Sequence, residues 1–476
     1  MLTAQRALAD AGLRLLEQST HTPLLRVQVP PGREAEFIAR LAARPDVEFA
    51  GYNEIISIQG SPNDPGFSQQ YGLHNTGQTG GAPDADIDAP EAWNIFTGSS
   101  AITIAVVDTG VQLDHPDLSA NIWVNPREIP ANGLDDDANG YVDDVNGYDF
   151  INNDNNPTDD HSHGTHVAGI AAARGNNGLG VAGVNWAAKI MALKILNKDG
   201  DGGLFDLQEG LYYAADNGAQ IINMSLGGGC SLPLWNSVVQ PAIDYAVSKG
   251  ALLVAASGNS NTAIFCPAAM PGVLAVGATN HFDTRWVWNS FQGSNFGPEL
   301  AVSAPGEYIY STLWIKDFGA TYGYKSGTSM ATPHVAGLAA LVWGYAPTLP
   351  ATDVAGILAA TADDKIPPPL SSGDKCVSFN PAYAGATGWD PCFGYGRINA
   401  ARALNALVAM QTAPPQINFL VDPLTPTPVS ANILIASQAG SNVSWSAVIS
   451  PSVSWLSLPV TAAGVVSAGS SPAPLA

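Results

Sequence analysis

Short runs of apolar and β-branched residues alternate with segments of helical period through the middle of the chain. Ala101 to Val107, Lys189 to Leu196, Gln220 to Met224, Ala251 to Ala256 and Val273 to Val276 hold too few polar positions for a sheet face open to water. They are therefore predicted to be strands buried on both faces. Among the helical stretches, Leu204 to Ala215 sets Leu204, Leu207, Leu211 and Ala215 on one face and stops at Asn217-Gly218, a helix C-terminal signal. Such alternation predicts an α/β domain over residues 82–410, a mostly parallel sheet with helices on both faces.

The flanks read differently. Met1 to Ser19 carries Arg6, Asp10, Arg14 and Glu17 at intervals that suggest an amphipathic helix. An extended run Leu24 to Val29, a helical Glu34 to Ala43 and a strand-like Val47 to Ile58 follow, giving a small α+β unit over 1–58. Residues 59–81, rich in Pro, Asn, Gly and Gln, read as a linker or arm. A second linker at 411–428 holds Pro414, Pro415, Pro423, Pro426 and Pro428, and 429–476 is expected to be a partial all-β module around Ile433 to Ile435, Val443 to Val448 and Trp455.

Composition narrows the partners. With 19 Lys and Arg against 41 Asp and Glu, the formal charge of −22 argues against nucleic acid, whose phosphates need clustered cations. Charged residues make up only 13% of the chain and hydrophobic ones 46%, so the acidity belongs to a globular protein and not to a disordered tail. No apolar run reaches the ~18 to 20 residues of a membrane helix. Cys230, Cys266, Cys376 and Cys392 lack metal-ligand spacing and fit two disulfides, in any of three pairings, or four inert thiols.

In an open parallel sheet, ligands gather beyond the carboxyl ends of the strands. Four polar side chains fall there: Asp108 after Ile102 to Val107, His163 opening a helix, Asn259 after Ala251 to Ala256, and Ser329 at the start of another helix, where Pro333 is expected within the first turn. Singly, each is an ordinary cap or turn residue. Together, an acid, a base, a hydroxyl at a helix N-terminus and an amide donor fill the roles of serine acyl transfer. His166 and His334 lie in the same segments and read as packing or hydrogen-bonding residues.

The local text around them, Val106-Val-Asp108-Thr-Gly-Val, His163-Gly-Thr-His-Val-Ala-Gly and Gly327-Thr-Ser329-Met-Ala-Thr-Pro-His, resembles the three signature blocks of the subtilisin-like serine proteases, in that family's Asp, His, Ser order. The resemblance implies a subtilisin-like three-layer fold and a serine endopeptidase acting on protein or peptide substrates. It implies Ser329 as nucleophile, His163 as base, Asp108 as its orienting acid and Asn259 as oxyanion donor. It also implies substrate contacts along Ser225, Leu226 and Gly227 on one side of the primary pocket and Gly200 and Gly202 on the other, with Phe265 at its floor. The 1–58 unit resembles the tail of a subtilisin-type propeptide lacking its first strand, which implies a self-processing zymogen cut between about Ile56 and Asn63. An extracellular, secreted monomer is expected, with its export signal missing from an incomplete N-terminus. The segment after 428 weakly resembles immunoglobulin-like modules of secreted enzymes.

Calcium is the expected cofactor. Asp135, Asp137, Asn139 and Asp143 fall at positions one, three, five and nine of a calcium loop, although the twelfth is Asn146 and not Glu. By resemblance alone, Asp117 and Asn177 form a second, tight site. Gly178-Leu-Gly180-Val-Ala-Gly183 matches a dinucleotide fingerprint, but a helix precedes it and a strand follows, the reverse of what that motif needs. Two other classes compete: a silent binding protein on the same scaffold, and an acid-acting serine-carboxyl peptidase, which would carry Glu and Asp where this chain has His163 and Asn259.

Overall fold

The computed structural model describes residues 61–364, 375–376 and 388–412, the stretches 13–19, 24–29 and 33–44 with a few residues to 51, and four short strands beyond 433. The chain folds as two units, residues 1–58 with 412–426 and residues 59–411 with 427–476.

In the first unit, β1 (Arg14–Gln18) and β2 (Leu25–Gln28) pair antiparallel, and α1 (Glu34–Ala42) follows. The expected amphipathic helix is thus a strand over Arg14–Gln18, and a strand does precede β2. Arg14 and Glu17 keep the helical spacing, yet both pair with β2, and Leu16, in the register irregularity between Leu15 and Glu17, is 48% exposed. Residues 1–12 and most of the strand-like 47–58 segment lie outside the described residues.

In the second unit, seven strands form a sheet in the order β11-β8-β7-β6-β3-β5-β4, and every neighbouring pair is parallel. In chain order the elements are α2 (Ala89–Trp93), β3 (Thr103–Asp108), β4 (Gly147–Asp149), α3 (His163–Ala172), β5 (Lys189–Lys194), α4 (Leu204–Asp216) and β6 (Ile221–Met224). Next come α5 (Leu232–Val238), α6 (Gln240–Ser248), β7 (Leu252–Ala256), β8 (Val273–Thr279) and a small hairpin, β9 (Val287–Asn289) with β10 (Gln292–Gly293). Then follow β11 (Leu300–Pro305), a second hairpin of β12 (Ile309–Ile315) and β13 (Gly319–Lys325), α7 (Thr328–Tyr345), α8 (Ala351–Ala360) and α9 (Ala400–Thr412).

Alternation along β3 shows why the predicted runs are apolar throughout. Ile104 and Val106 join one core with α3 and α7, while Ala105 and Val107 join the other with α4 and α6. Both faces are covered, so the layers number three and water reaches neither face. β5 and β6 flank β3 on opposite sides, which makes the carboxyl end of β3 the switch point where a cleft opens. Asp108 ends that strand.

The cysteines pair as Cys230–Cys266 and Cys376–Cys392. Beyond residue 433 the described strands are β14 (Leu434–Ile435) with β17 (Ala473–Pro474), and β15 (Val443–Ser446) with β16 (Ala463–Val466). The Trp455 region and most of the 411–428 linker lie outside the described residues. Among the described residues, no helix is long and apolar enough to cross a membrane.

Candidate active site

Asp108, at the end of β3, is wholly buried and its Oδ1 lies 2.7 Å from His163 Nδ1 on the first residue of α3. The same oxygen accepts the Thr109 N–H at 2.7 Å. Gly164 is required next to His163: a Cβ there would come 2.1 Å from Gly110 O and 3.2 Å from Asp108 Oδ1, pushing α3 away from β3. Burial disfavours the charged imidazole, but the Asp108 charge and hydrogen bond outweigh it, so His163 is raised above its ordinary value. Lys325, at the end of β13, acts in the opposite sense on His163, and burial lowers Lys325 itself.

Two residues that sequence reasoning passed over hold this pair. Asp159 is buried and accepts His161 N, Ser162 N and Thr165 N, each at 2.9 Å, so it neutralises orphan donors at the start of α3. It also accepts Thr109 Oγ1 at 2.9 Å, and that hydroxyl in turn accepts Gly164 N. Lys194, the β5 partner of Asp108 in register, is almost completely buried and donates to Thr109 O at 2.9 Å, Leu196 O at 2.8 Å and Asp160 Oδ1 at 2.7 Å. A lysine inside an apolar run was the available signal.

Ser329 is the second residue of α7, a helix buried almost throughout from Thr328 to Trp343. Its hydroxyl donates to Ser225 O at 3.0 Å, and the Ser225 hydroxyl donates back to Ser329 O at 2.9 Å. Pro333 is the sixth residue of α7 and lies beyond the first turn where it was expected. Lacking an N–H, it leaves the Ser329 carbonyl without its helical donor, and Ser225 supplies one.

Asn259 follows β7 and faces the same point. Thr328 N and Thr328 Oγ1 both lie 2.8 Å from its Oδ1. A backbone N–H can only donate, so the side-chain oxygen is committed to Thr328 and the NH₂ group is left to face outward. Gly327 has φ of 147°, and a Cβ there would stand 3.2 Å from Asn259 Nδ2. Thr328 leaves no local signal in the sequence, because its role depends on a residue 69 positions away.

Along the cleft, Gly200, Gly202 and Gly227 are at least partly exposed and Leu226 is half-buried. The Phe265 ring fills the space beside Gly258, where a Cβ would meet Phe265 Cδ2 at 2.8 Å, and Gly228 and Cys266 exchange backbone hydrogen bonds of 2.9 and 3.1 Å. The Cys230–Cys266 disulfide therefore ties the segment after Ser225 to the one carrying Phe265. His166 Nε2 lies between Ile309 O and Gly323 O, and burial pushes it down to about 3; His334 Nδ1 sits 2.9 Å from Met330 O and is pushed down to about 4. Both are neutral structural residues.

The acidic residues group differently from their sequence positions. Asp135 and Asp137 converge with Glu128, their oxygens within 4.8 Å of one another, and Glu128 Oε2 is buried without a hydrogen-bond partner. Asp143 instead accepts Asn132 N and Gly133 N at 3.0 and 2.9 Å, while Asn139 is engaged with Asp144 and Tyr141 N. Asn177 Nδ2 donates to the fully buried Asp117 at 2.9 Å. Asp64, not singled out in the sequence, is buried and accepts Asn176 N and Asn177 N; burial, chiefly, and the nearby Asp117 charge raise it.

The chain matches the subtilase family over residues 99–396, well over half its length. It is 42% identical to thermitase of Thermoactinomyces vulgaris, covering 59% of this chain and 85% of that protein. An extracellular basic protease of Dichelobacter nodosus is 35% identical over 78% of this chain and 60% of its own length. Among solved structures, a protease of Pseudoalteromonas arctica PAMC 21717 matches with a TM-score of 0.56 and 31% identity, over 73% of this chain and 99% of that one. The chain belongs to the subtilase family and is a serine-type endopeptidase.

Proposed function

We propose that this chain hydrolyses polypeptides through Asp108, His163 and Ser329, with Asn259 as the side-chain donor of an oxyanion hole, and that it is made as a secreted, self-processing zymogen acting as a monomer. The 2.7 Å contact between Asp108 and His163 carries the reading. Asp108 fixes the imidazole with Nε2 unprotonated and facing the cleft, which is the tautomer a general base needs. Ser329 Oγ turns from Ser225 O to His163, loses its proton and attacks the scissile carbonyl. Charge then develops on the carbonyl oxygen between the Asn259 amide and the N-terminus of α7, and His163 returns the proton to the departing amine.

Ser225, Leu226 and Gly227 on one side, with Gly200 and Gly202 on the other, pair with an extended substrate as added strands. Phe265 narrows the primary pocket and favours modest apolar side chains. The donor sets also fit calcium, which takes hard oxygen ligands. Glu128, Asp135 and Asp137 would hold one ion, supported by the unpartnered Glu128 oxygen, and Asp117, Asn177 and Asp64 another, supported by the burial and the neighbouring Asp117 charge that raise Asp64's cost of ionisation. The bound ions supply charge compensation only. Extracellular relatives support secretion, and the separate 1–58 unit supports the zymogen reading.

Casein digestion with and without a serine-directed inhibitor tests the mechanism: cleavage that persists with the inhibitor or in Ser329→Ala overturns it. Mass spectrometry of the active protein tests processing, with a new N-terminus expected between about residues 56 and 63.

A further inference from the structure

The hairpin β9–β10 carries an apolar surface outside the core, where Lys375 Nζ lies 5.5 Å from the Phe291 ring centroid and His281 packs edge-on against Phe282. Val287 is 36% exposed, Trp288 57% and Phe291 78%, and Phe282 just before it is 54% exposed. Lone exposed rings are ordinary, but four large apolar side chains within ten residues of one loop mark a recognition surface, and tryptophan is enriched among the anchors of such surfaces.

The hairpin is rooted in the segment that carries Asn259. Gly293 N donates to Asn259 O at 3.0 Å and Asn261 N donates to Gly293 O at 2.9 Å, while Arg285 Nη2 reaches Asn261 Oδ1 at 2.9 Å. Its tip is fixed as well. Asn289 Oδ1 accepts Phe291 N at 2.8 Å and Gln292 N at 2.9 Å, and Asn289 Nδ2 donates to Gln292 at 3.0 Å. The turn that carries Phe291 is thereby fixed before anything binds, which lowers the entropy cost of capturing a partner. Phe291 stands two residues from the root at Gly293, about 7 Å of extended backbone at about 3.3 Å per residue, and its side chain extends that reach, so an extended peptide covers the span in roughly three to five residues.

We infer that Trp288 and Phe291 form an accessory substrate site that binds an aromatic or large aliphatic side chain of the polypeptide substrate, three to five residues from the scissile bond. The occupant is the substrate because the hairpin is hydrogen-bonded to the backbone at Asn259 and Asn261, the segment proposed to meet the scissile carbonyl. The inference rests on the role proposed for Asn259 and Ser329, and the test separates the two.

The test compares peptides that share one cleavage sequence: a short one with two residues on each side of the bond, and long ones carrying Phe or Ser at each position three to five residues away. The protein should prefer the best-placed Phe peptide over its Ser counterpart about tenfold in kcat/KM, chiefly through KM. The variant Trp288→Ala/Phe291→Ala should lose that preference, cleave the short peptide as the unaltered protein does and melt at the same temperature, since both rings lie outside the core. The same preference should appear as an affinity difference when the long peptides titrate Ser329→Ala, with no catalysis involved. A preference that survives the double substitution overturns the inference, as does an equal loss on the short peptide or a change in self-association with the preference intact. If the protein cleaves no short peptide at all, the catalytic reading fails, and the titration still decides the hairpin's role.

Discussion

Ser225 and Ser329 exchange hydrogen bonds in both directions, 3.0 Å from the Ser329 hydroxyl to the Ser225 carbonyl and 2.9 Å from the Ser225 hydroxyl to the Ser329 carbonyl. The second bond exists because Pro333 cannot donate to Ser329 O from within α7. Ser225→Ala removes that donor and keeps its own carbonyl. A neutral hydrogen bond contributes about 0.5–1.5 kcal/mol, so kcat/KM on a short peptide should fall about two- to tenfold. The loss should shrink in a Pro333→Ala background, where residue 333 regains an N–H for the same carbonyl. An equal loss in both backgrounds would show that the proline is unconnected to the pair.

The amide of Asn259 is aimed by Thr328. Asn259→Leu should lower kcat about 10² to 10³-fold with little change in KM, the magnitude known for the oxyanion asparagine of a subtilisin. Thr328→Val keeps the backbone N–H to Asn259 Oδ1 and removes only the hydroxyl bond. It should lower kcat by much less, about two- to tenfold. A Thr328→Val loss as large as that of Asn259→Leu, with folding intact, would assign the hydroxyl a more direct role than orientation.

The parts of this architecture legible in the sequence are those with a local imprint. β3 is apolar at consecutive positions because both of its faces are covered, and the acid, base, amide and hydroxyl stand out by residue type just beyond strand ends. β1 reads as a helix because Arg6, Asp10, Arg14 and Glu17 recur at helical intervals, and only pairing with Leu25–Gln28, a long-range fact, decides for a strand. Glu128 lies seven residues ahead of Asp135, outside any loop register, and joins Asp135 and Asp137 only after the chain turns back. Thr328 acts through Asn259, 69 positions away, so its type alone says nothing of its role, whereas Lys194 leaves a trace as a lysine inside an apolar run and Asp159 as an acid just ahead of a helix.

His163 is raised above its ordinary value of ~6.5 because Asp108 outweighs the burial that opposes the charged ring. The proposed mechanism needs the neutral ring. Activity should therefore be complete at alkaline pH and fall as pH drops through a value above 6.5. The groups that bear on the imidazole are Asp108 and Asp159, which favour its charge, and Lys325, which disfavours it. Lys325→Met removes the opposing charge and should move the acid limb of kcat/KM to higher pH. A limb that stays in place, or moves down, would mean that Lys325 does not reach the base.

Chelation separates the two acidic sites from an ordinary solvated loop. A ligand that binds the native state and not the unfolded chain raises stability by RT ln(1 + [L]/Kd), about 2.7 kcal/mol at a hundredfold excess over Kd. Removing calcium with a chelator should therefore lower the unfolding midpoint by several degrees, and adding it back should restore the loss. Glu128→Gln tests one site alone. It keeps the side-chain shape and an oxygen for Asp136 N and Asp137 N but removes the charge beside Asp135 and Asp137. Without calcium the substitution relieves repulsion among three carboxylates, so the apo midpoint should hold or rise. With calcium the gain in midpoint should be smaller than in the unaltered protein, and Asp117→Asn should reduce it through the other site. Unchanged midpoints on chelation would leave both clusters without a bound ion, whereas a normal calcium gain in Glu128→Gln would remove only the Glu128, Asp135 and Asp137 site.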